Sequence, residues 1–280
     1  MREIHIKKIS ECIAGLCISA NTLIGADIRR RLAAGLSAEE APLPRYVLKT
    51  LLENADIADE GQIPICQDTG MAVVFADIGQ DIWIVGGSLT QAIQDGVAHG
   101  YHDGYLRASV VRDPIDRRNT GDNTPAVIHY DIVPGDRLTL TVAPKGFGSE
   151  NMSALKMLTP ADGLAGVEHF VLDTVRTAGP NPCPPIVVGV GIGGTMEKAA
   201  LLGKRALTRS LDTSHPDPFW AGEEQRLLEA INALHIGPAG LGGHTTALGV
   251  CIEVYPTHIA GLPVAVNIGC HVTRHASATL

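Results

Sequence analysis

The sequence has few aromatic residues and no long apolar run, and both absences narrow its possible functions. Phe, Trp and Tyr make up 4% of the 280 residues, too few for platforms that stack nucleic-acid bases. The formal net charge of −8 lacks the clustered cations that neutralise phosphates, so we expect no nucleic-acid partner. No apolar run approaches the roughly 20 residues that span a bilayer, and the charged N-terminus does not resemble a signal peptide. We therefore expect a cytoplasmic protein with no membrane partner.

The chain also lacks repeats, low-complexity tracts and a Ser/Gly linker, which favours a single domain over residues 1–280. Residues 1–60 are predicted to be mostly helical, with an apolar stripe formed by Ile4, Ile6, Ile9, Ile13 and Leu16. Later helices and short β-rich segments follow one another irregularly. The predicted fold class is α+β. It has a helical N-terminal part, mixed or antiparallel β-sheets flanked by helices, and cysteine-bearing loops that converge on one site.

Several local patterns predict individual elements. VIHYDIVPGDRLTLTVAP indicates a hairpin that turns at residues 134–136, and Ser88 is expected to cap a helix. PKGFGSENMSALKML is predicted to be a glycine-rich loop that leads into a helix, with Ser149 as its cap. A chain break is expected at Pro42 and Pro44, before the next helix.

The six cysteines include no CxxC pair, and the chain has no HExxH motif, so a zinc site fits poorly. Three of them lie in apolar helical or strand-like segments and are predicted to be structural thiols: Cys12, Cys17 and Cys251. The other three lie in loops beside Pro, Gly or Asn: Cys66, Cys183 and Cys270. Three thiolates are one short of the four that close an ordinary iron–sulfur cluster, which would leave one iron open as a Lewis acid.

The run Gly189–Gly194 matches the pattern G-x-G-x-x-G between a predicted strand and a predicted helix. Dinucleotide binding is one interpretation, although no apolar strand precedes Asp212, the acidic residue at the required distance. The alternatives are a tight strand-to-helix turn, or glycines that let backbone amides approach an anion or a cluster sulfide near Cys183.

Three further residues are candidates for a pocket. His258 lies between two apolar runs, and Arg107 begins a β-rich stretch where a structural salt bridge is the alternative. Gly146 belongs to a basic, glycine-rich turn whose composition suits a carboxylate or a phosphate, although a plain turn has the same composition.

Six motifs, in a fixed order, carry a resemblance to a known family: IPICQDTG, YLRASVV, PKGFGSENMSALKML, CPPIVVGVGIGGT, GLGGHTTALGV and NIGCHVTRHA. Together they resemble the α-type region of the iron–sulfur hydro-lyases, which include class I fumarases and L-tartrate dehydratases. The likeness runs from about residue 5 to the C-terminus. It implies reversible hydration of fumarate to malate, or alternatively dehydration of L-tartrate to oxaloacetate. A labile-cluster sensor is the alternative from another class.

The same resemblance implies a [4Fe-4S] cluster, held by Cys66, Cys183 and Cys270, whose fourth iron binds a small dicarboxylate substrate. Five residues match positions beside the substrate in this family: Gln67, Asp68, Arg107, Gly146 and His258. Asp68 is implied to be catalytic, because the matching aspartate assists the base that deprotonates the substrate.

The resemblance also implies a partner. In this family a β-type region supplies a Thr base and the cations for the distal carboxylate, and this sequence ends at Leu280, soon after the third cysteine. We therefore expect a separate β-type subunit and a higher oligomer such as α2β2. Two departures from the family pattern are Phe147, where a third glycine is common, and His275, where a second Arg is common.

Overall fold

The computed structural model describes residues 2–280, which form two compact units. Unit 1 is formed by the chain up to Ile24, by Asn54–Phe147 and by Arg274–Leu280. Unit 2 is formed by Gly25–Glu53 and Gly148–Thr273. Both units combine helices with mixed sheets, so the predicted α+β class is confirmed. The single domain over residues 1–280 stays a prediction.

Unit 1 contains two main helices and all the strands of two sheets. Its elements are β1 (Arg2–His5), α1 (Ile6–Thr22), β2 (Met71–Gly79), β3 (Ile82–Val85), α4 (Leu89–Asp103), β4 (Val127–Val133), β5 (Leu138–Lys145) and β10 (Ala276–Thr279). Ser88 is the N-cap of α4, where its side chain accepts a hydrogen bond from the Gln91 N–H, as the sequence predicted. Ile4 lies in β1, which pairs with β3, so the predicted helical stripe begins at Ile6 instead.

The main sheet of unit 1 has the order β10-β5-β2-β4. The predicted hairpin is therefore wrong, because β2 lies between β4 and β5, parallel to the first and antiparallel to the second. Residues at the turn between β4 and β5 bind the end of β2: the carbonyl of Gly135 accepts a hydrogen bond from the Asp81 N–H, and the carbonyl of Arg137 accepts one from the Gly79 N–H. A strand from an earlier part of the chain thus occupies the place that a local hairpin partner would take.

The core of unit 1 lies between this sheet and the helices α1 and α4. Ile9 and Ile13 of α1 are fully buried in it, together with Val74 of β2 and Ile93 of α4. The stretch Ile6–Ala38 also has the length and apolar composition of a membrane span. A break at residues 23–25 divides that stretch into two helices, and α1 packs like the core helix of a globular protein. The stretch is therefore weak evidence for a span.

Unit 2 contains the remaining elements: α2 (Ala26–Ala38), the first part of α3 (Pro42–Gly61), most of α5 (Phe147–Glu150), β6 (Ala154–Leu158), α6 (Gly163–Ala178), β7 (Ile186–Gly193), α7 (Met196–Ala206), α8 (Pro218–Asn232), β8 (Ala247–Tyr255) and β9 (Leu262–Gly269). Two predictions need correction here. The helix α3 begins at Pro42, because proline is well accommodated in the first turn of a helix. After the four-residue helix α5 the chain continues as the strand β6, not as a longer helix.

The sheet of unit 2 has the order β6-β9-β7-β8, and β7 is buried at every position. Gly189, Gly191 and Gly193 of the glycine motif lie in this strand, and Gly194 lies in the tight strand-to-helix turn that leads into α7, as one of the alternatives from the sequence expected. A β-carbon on Gly189 would approach the carbonyl oxygen of Gly203 to 2.2 Å, and one on Gly191 would approach that of Ala199 to 2.1 Å. These glycines therefore allow α7 to pack directly on the sheet, and the nucleotide-binding interpretation loses its structural basis.

Candidate active site

The loop before β2 contains Cys66, Gln67 and Asp68. The Cys66 thiol is partly exposed, accepts a hydrogen bond from the Asp68 N–H at 3.4 Å, and donates to Gln67 Oε1 at 3.5 Å. Backbone N–H groups commonly donate to the cysteine sulfurs that bind iron–sulfur clusters, and these hydrogen bonds tune the cluster. The loop therefore presents a thiol, an amide and a carboxylate from three consecutive residues.

The Asp68 carboxylate is fixed by two backbone donors. Its Oδ1 accepts from the Gly70 N–H at 3.0 Å, and its Oδ2 accepts from the Phe147 N–H at 2.9 Å. Gly146 lies against the same carboxylate, because a β-carbon built at this position would be 3.0 Å from Asp68 Oδ2. The structure thus brings together Cys66, Gln67, Asp68 and Gly146, four of the residues that the sequence placed at the site.

The backbone of this loop is held by buried polar side chains. The Tyr101 hydroxyl donates to the carbonyls of Thr69 at 2.7 Å and Gly70 at 3.0 Å, and Asn123 Nδ2 donates to the Gly70 carbonyl at 3.1 Å. Burial raises the pKa of Tyr101, so its hydroxyl keeps the proton that it donates. The Thr69 hydroxyl donates to the Arg107 carbonyl at 3.0 Å, which brings Arg107 beside the loop with its side chain exposed.

Sequence reasoning missed Tyr101, Asn123 and Arg274 as supports of the loop. A guanidinium nitrogen of Arg274, Nη2, donates to the Asp68 carbonyl. All three are far from Cys66–Gly70 in the chain, and no motif links them to it. The only local signal was Asn123 in a turn-rich segment, GDNTP.

In unit 2 the loops of Cys183 and Cys270 contact each other. The residue after Cys270, His271, directs its N–H to the Cys183 carbonyl at 3.4 Å, and its Nδ1 lies 3.0 Å from the same oxygen. Cys183 is exposed and has a φ of +56°, which lies in the left-handed backbone region that is common in turns. The Cys270 carbonyl accepts from the Thr273 N–H at 3.0 Å, which closes the turn that follows. These contacts place two of the three loop cysteines in one region of unit 2.

His258 lies in the exposed turn after β8, where its Nδ1 accepts from the Ala260 N–H at 3.2 Å. It lines a cavity of about 390 Å³ in unit 2, together with apolar residues that include Trp220 and Ile259. A histidine at the edge of an apolar cavity is suited to hold one polar group of a small ligand.

Two of the three predicted structural thiols, Cys17 and Cys251, are buried, whereas Cys12 is partly exposed, as Cys66 and Cys270 are. Burial raises the pKa of Cys17 to about 12 and that of Cys251 to about 11, and it also raises the pKa of Cys12. Cys66, Cys183 and Cys270 are partly or fully exposed. Within residues 2–280, no group of three or more His, Cys, Asp or Glu side chains is close enough to hold a metal ion. Because Cys66 belongs to unit 1 and the other two belong to unit 2, their shared site stays a prediction.

Comparison with known proteins covers almost the whole chain. Residues 10–279 match the fumarate hydratase (Fumerase) family. The chain belongs to this family. A Methanocaldococcus jannaschii protein named "Putative L(+)-tartrate dehydratase subunit alpha" is 42% identical over 277 residues, covering 96% of each chain. The L(+)-tartrate dehydratase subunit alpha of Escherichia coli strain UTI89 is 33% identical and that of strain K12 is 32% identical, each over 97% of this chain and 90% of its own.

Family membership confirms the predicted enzyme class. The chain is an α-type hydro-lyase subunit, and the two substrates considered from the sequence, fumarate and tartrate, both occur in the names of its family and relatives. Because Gly189 and Gly191 are buried in β7 against the backbone of α7, the structure favours the hydro-lyase interpretation over the nucleotide-binding one.

Proposed function

We propose that this protein is the α subunit of a [4Fe-4S]-dependent hydro-lyase that reversibly hydrates fumarate to malate in the cytoplasm. The observation that carries the proposal is the Cys66–Gly70 loop. It presents a candidate iron ligand two residues from a carboxylate that Gly70 and Phe147 hold in place. Membership of the fumarate hydratase family supports the same reaction.

The residues present fit the proposed cluster by their chemistry. Cys66, Cys183 and Cys270 are thiols in loops, reachable from outside the core, and Cys66 already accepts a backbone N–H at its sulfur. Thiolates are the usual protein ligands of iron–sulfur clusters, and such N–H contacts tune them. A cluster with three protein ligands supplies a Lewis-acidic iron that activates the hydroxyl leaving group.

Asp68 is the residue of this chain that we expect to move a proton. Its two oxygens are held by backbone N–H groups, so the carboxylate is oriented before a substrate arrives. In the proposed reaction it assists a base that abstracts the proton on the carbon next to the one that bears the hydroxyl. The base itself and the cations for the distal carboxylate are expected from a β-type subunit.

The other proposed substrate residues bind and orient. Gln67 and Arg107 have exposed side chains next to the Asp68 loop, and His258 has one at its cavity in unit 2. A guanidinium and an amide are suited to a dicarboxylate, because both donate hydrogen bonds to carboxylate oxygens. Gly146 leaves the space beside Asp68 free for the substrate.

L-tartrate is the second candidate substrate. Relatives that are 42% and 33% identical are named L(+)-tartrate dehydratase subunit alpha, so their names favour tartrate as much as the family name favours fumarate. Tartrate has one hydroxyl more than malate. A pocket that accepts malate discriminates only weakly against the additional hydroxyl of tartrate, unless the pocket has no space for that group. Phe147 is half exposed beside Asp68 and is the residue in this chain best placed to limit that space.

The proposed partner is a β-type subunit, in an assembly such as α2β2. The relatives are named as alpha subunits, which supports a partner for this chain as well. A dicarboxylate needs two cationic contacts, and we expect those at its distal end to come from the partner.

Steady-state kinetics after anaerobic reconstitution test the proposal. The purified chain is loaded with iron and sulfide, mixed with the β-type subunit of the same organism, and assayed with malate, fumarate and L-tartrate. We expect about four irons per chain and turnover of malate and fumarate only when both subunits are present. The matched control is the loaded chain alone.

The outcomes separate the alternatives. Turnover of L-tartrate with little turnover of malate assigns the second candidate. Full activity of the loaded chain alone contradicts the need for a β subunit, and iron binding without turnover of any of the three acids contradicts the hydro-lyase proposal in favour of a sensor.

A further inference from the structure

Arg274 is a buried cation at the candidate site for which the proposed reaction gives no role. Its side chain belongs to unit 1, is only 6% exposed, and donates through Nη2 to the backbone carbonyl of Asp68. Its second terminal nitrogen, Nη1, is buried and has no hydrogen-bond partner among residues 2–280.

The guanidinium also lies close to the Asp68 carboxylate. A β-carbon built on Gly146 would be 3.0 Å from Asp68 Oδ2 and 3.5 Å from Arg274 Nη2. The guanidinium and the carboxylate therefore flank the same glycine, and a β-carbon at residue 146 would crowd the carboxylate and contact the guanidinium. This packing gives Gly146 a second reason to be glycine, besides leaving space for the substrate.

A purely structural role explains this arrangement poorly. A buried guanidinium with an unpaired N–H destabilises a fold, and apolar residues of similar volume often serve packing equally well. An unsatisfied buried donor in a folded protein calls for an explanation, and sites of function are where such groups concentrate. Within residues 2–280, the hydrogen bond that the Arg274 side chain makes is to the backbone of the proposed proton-transfer residue.

We propose that Arg274 is a positioning residue that fixes the Asp68 backbone and thereby the direction of the Asp68 carboxylate. The inference rests on the proposed function, because it assigns Arg274 to the same reaction. Arg274 holds the loop from the carbonyl side while Gly70 and Phe147 hold the carboxylate oxygens. Removal of the guanidinium should release the loop without removing a cluster ligand.

The test compares Arg274→Met, Arg274→Lys and Gly146→Ala with the unchanged chain. The matched control is Arg31→Met, because Arg31 Nη2 also donates to a backbone carbonyl, that of Leu211 at 2.8 Å, but in unit 2. Each variant is measured for iron and sulfide content, for amide hydrogen exchange in the peptide that covers residues 66–70, and for kcat and KM with the β-type subunit.

For Arg274→Met we expect about tenfold faster exchange at residues 67–70 and a kcat at least about tenfold lower, because a charge-assisted hydrogen bond is lost. KM should change less than about threefold and iron content should stay unchanged, since a positioning residue acts on the chemical step. Arg274→Lys should recover part of both effects, because an ammonium can still donate to the carbonyl. Gly146→Ala should raise exchange in the same peptide, and Arg31→Met should not.

Unchanged exchange at residues 67–70 in Arg274→Met overturns the inference, as does a raised KM with unchanged kcat, which marks a substrate contact instead. If Arg274→Met does not fold, Arg274→Lys decides: wild-type exchange and kcat overturn the inference, and intermediate values support it. Absence of turnover in the unchanged two-subunit enzyme counts against the proposed function alone, because the exchange measurement then decides the role of Arg274 by itself.

Discussion

Replacement of Asp68 by Asn should separate the proposed proton transfer from the proposed cluster binding. In the folded chain the two carboxylate oxygens accept from two different backbone donors, Gly70 N–H at 3.0 Å and Phe147 N–H at 2.9 Å. An asparagine offers one oxygen and one NH2 group, so one of the two N–H donors would face another donor. The substitution thus removes both a titratable group and one of its two anchors.

The contacts and the proposed role of Asp68 give the expected change in the free energy of unfolding and in kcat. Loss of one charge-assisted hydrogen bond at a partly buried carboxylate lowers the free energy of unfolding by about 2 kcal/mol. Loss of a proton-transfer group typically lowers kcat by about 10²- to 10⁴-fold. Because Asp68 is not a proposed iron ligand, the iron and sulfide content should remain that of the unchanged chain.

The assay measures kcat for malate and fumarate with the β-type subunit, iron and sulfide content, and urea unfolding of the chain. Asp113→Asn is the matched control in the same unit. Asp113 also accepts two backbone N–H groups, from Ile115 and Asp116, but both bonds end on the same oxygen, Oδ1. Asparagine can keep that acceptor, so the control should retain both its kcat and its stability.

Two results would refute this reasoning. A kcat within about threefold of the unchanged enzyme, at full iron content, would show that Asp68 does not take part in proton transfer. Loss of iron in proportion to the loss of turnover would show that the substitution acts on the cluster loop and not on the chemical step.

Three further predictions concern the thiols and the packing of unit 2. Serine substitution should lower iron loading at the three loop cysteines (Cys66, Cys183, Cys270) and not at the other three (Cys12, Cys17, Cys251); equal loss at all six would contradict the ligand assignment. Gly191→Ala should lower the free energy of unfolding by about 3 kcal/mol, because its β-carbon would lie 2.1 Å from the Ala199 carbonyl oxygen. Gly222→Ala, at an open helical position, should raise it by about 0.5–1 kcal/mol. Burial raises the pKa of Cys251 from 9.0 to about 11, so its neutral thiol stabilises the fold below pH 9, and this contribution is lost between pH 9 and 11. The free energy of unfolding, measured by urea titration, should fall across that pH range, and the fall should be smaller in Cys251→Ala.

The elements with a strong local signal were predictable from the sequence. The apolar run Met71–Gly79 is β2, and Ser88 caps α4 as its position before a helical pattern indicated. The prediction of a hairpin between β4 and β5 was wrong because turn residues carry information only about local geometry. They carry no information that β2, about fifty residues earlier in the chain, would lie between β4 and β5.

The nucleotide-binding interpretation of the glycine motif lost its basis for a related reason. Its spacing is shared by turns that bind phosphate and by strands that need close contact with a helix. Only the tertiary structure shows that Gly189 and Gly191 face the backbone of α7. The nucleotide interpretation therefore depended on a pattern with two physical causes.

The candidate site was predictable where its residues are neighbours in the chain. Cys66, Gln67 and Asp68 are consecutive, and a resemblance to a family was enough to select them. Tyr101 and Arg274 support the same loop although they are 32 and 206 residues away from their partners in the chain, as their hydrogen bonds to Thr69 and Asp68 show. Such supports depend on how strands and helices pack, which no local pattern records.

The supports of the Cys66–Gly70 loop indicate what the proposed β-type subunit would have to add. Tyr101, Asn123 and Arg274 hold the loop backbone, and all three belong to unit 1 together with the loop itself. The direction of the Asp68 carboxylate is therefore fixed by this chain alone, and a β-type subunit is not needed to order it. If the loop is already ordered, the partner must contribute chemical groups, such as a base and cations, and not rigidity. Amide exchange at residues 67–70 should accordingly be the same with and without the β subunit, while turnover should require it.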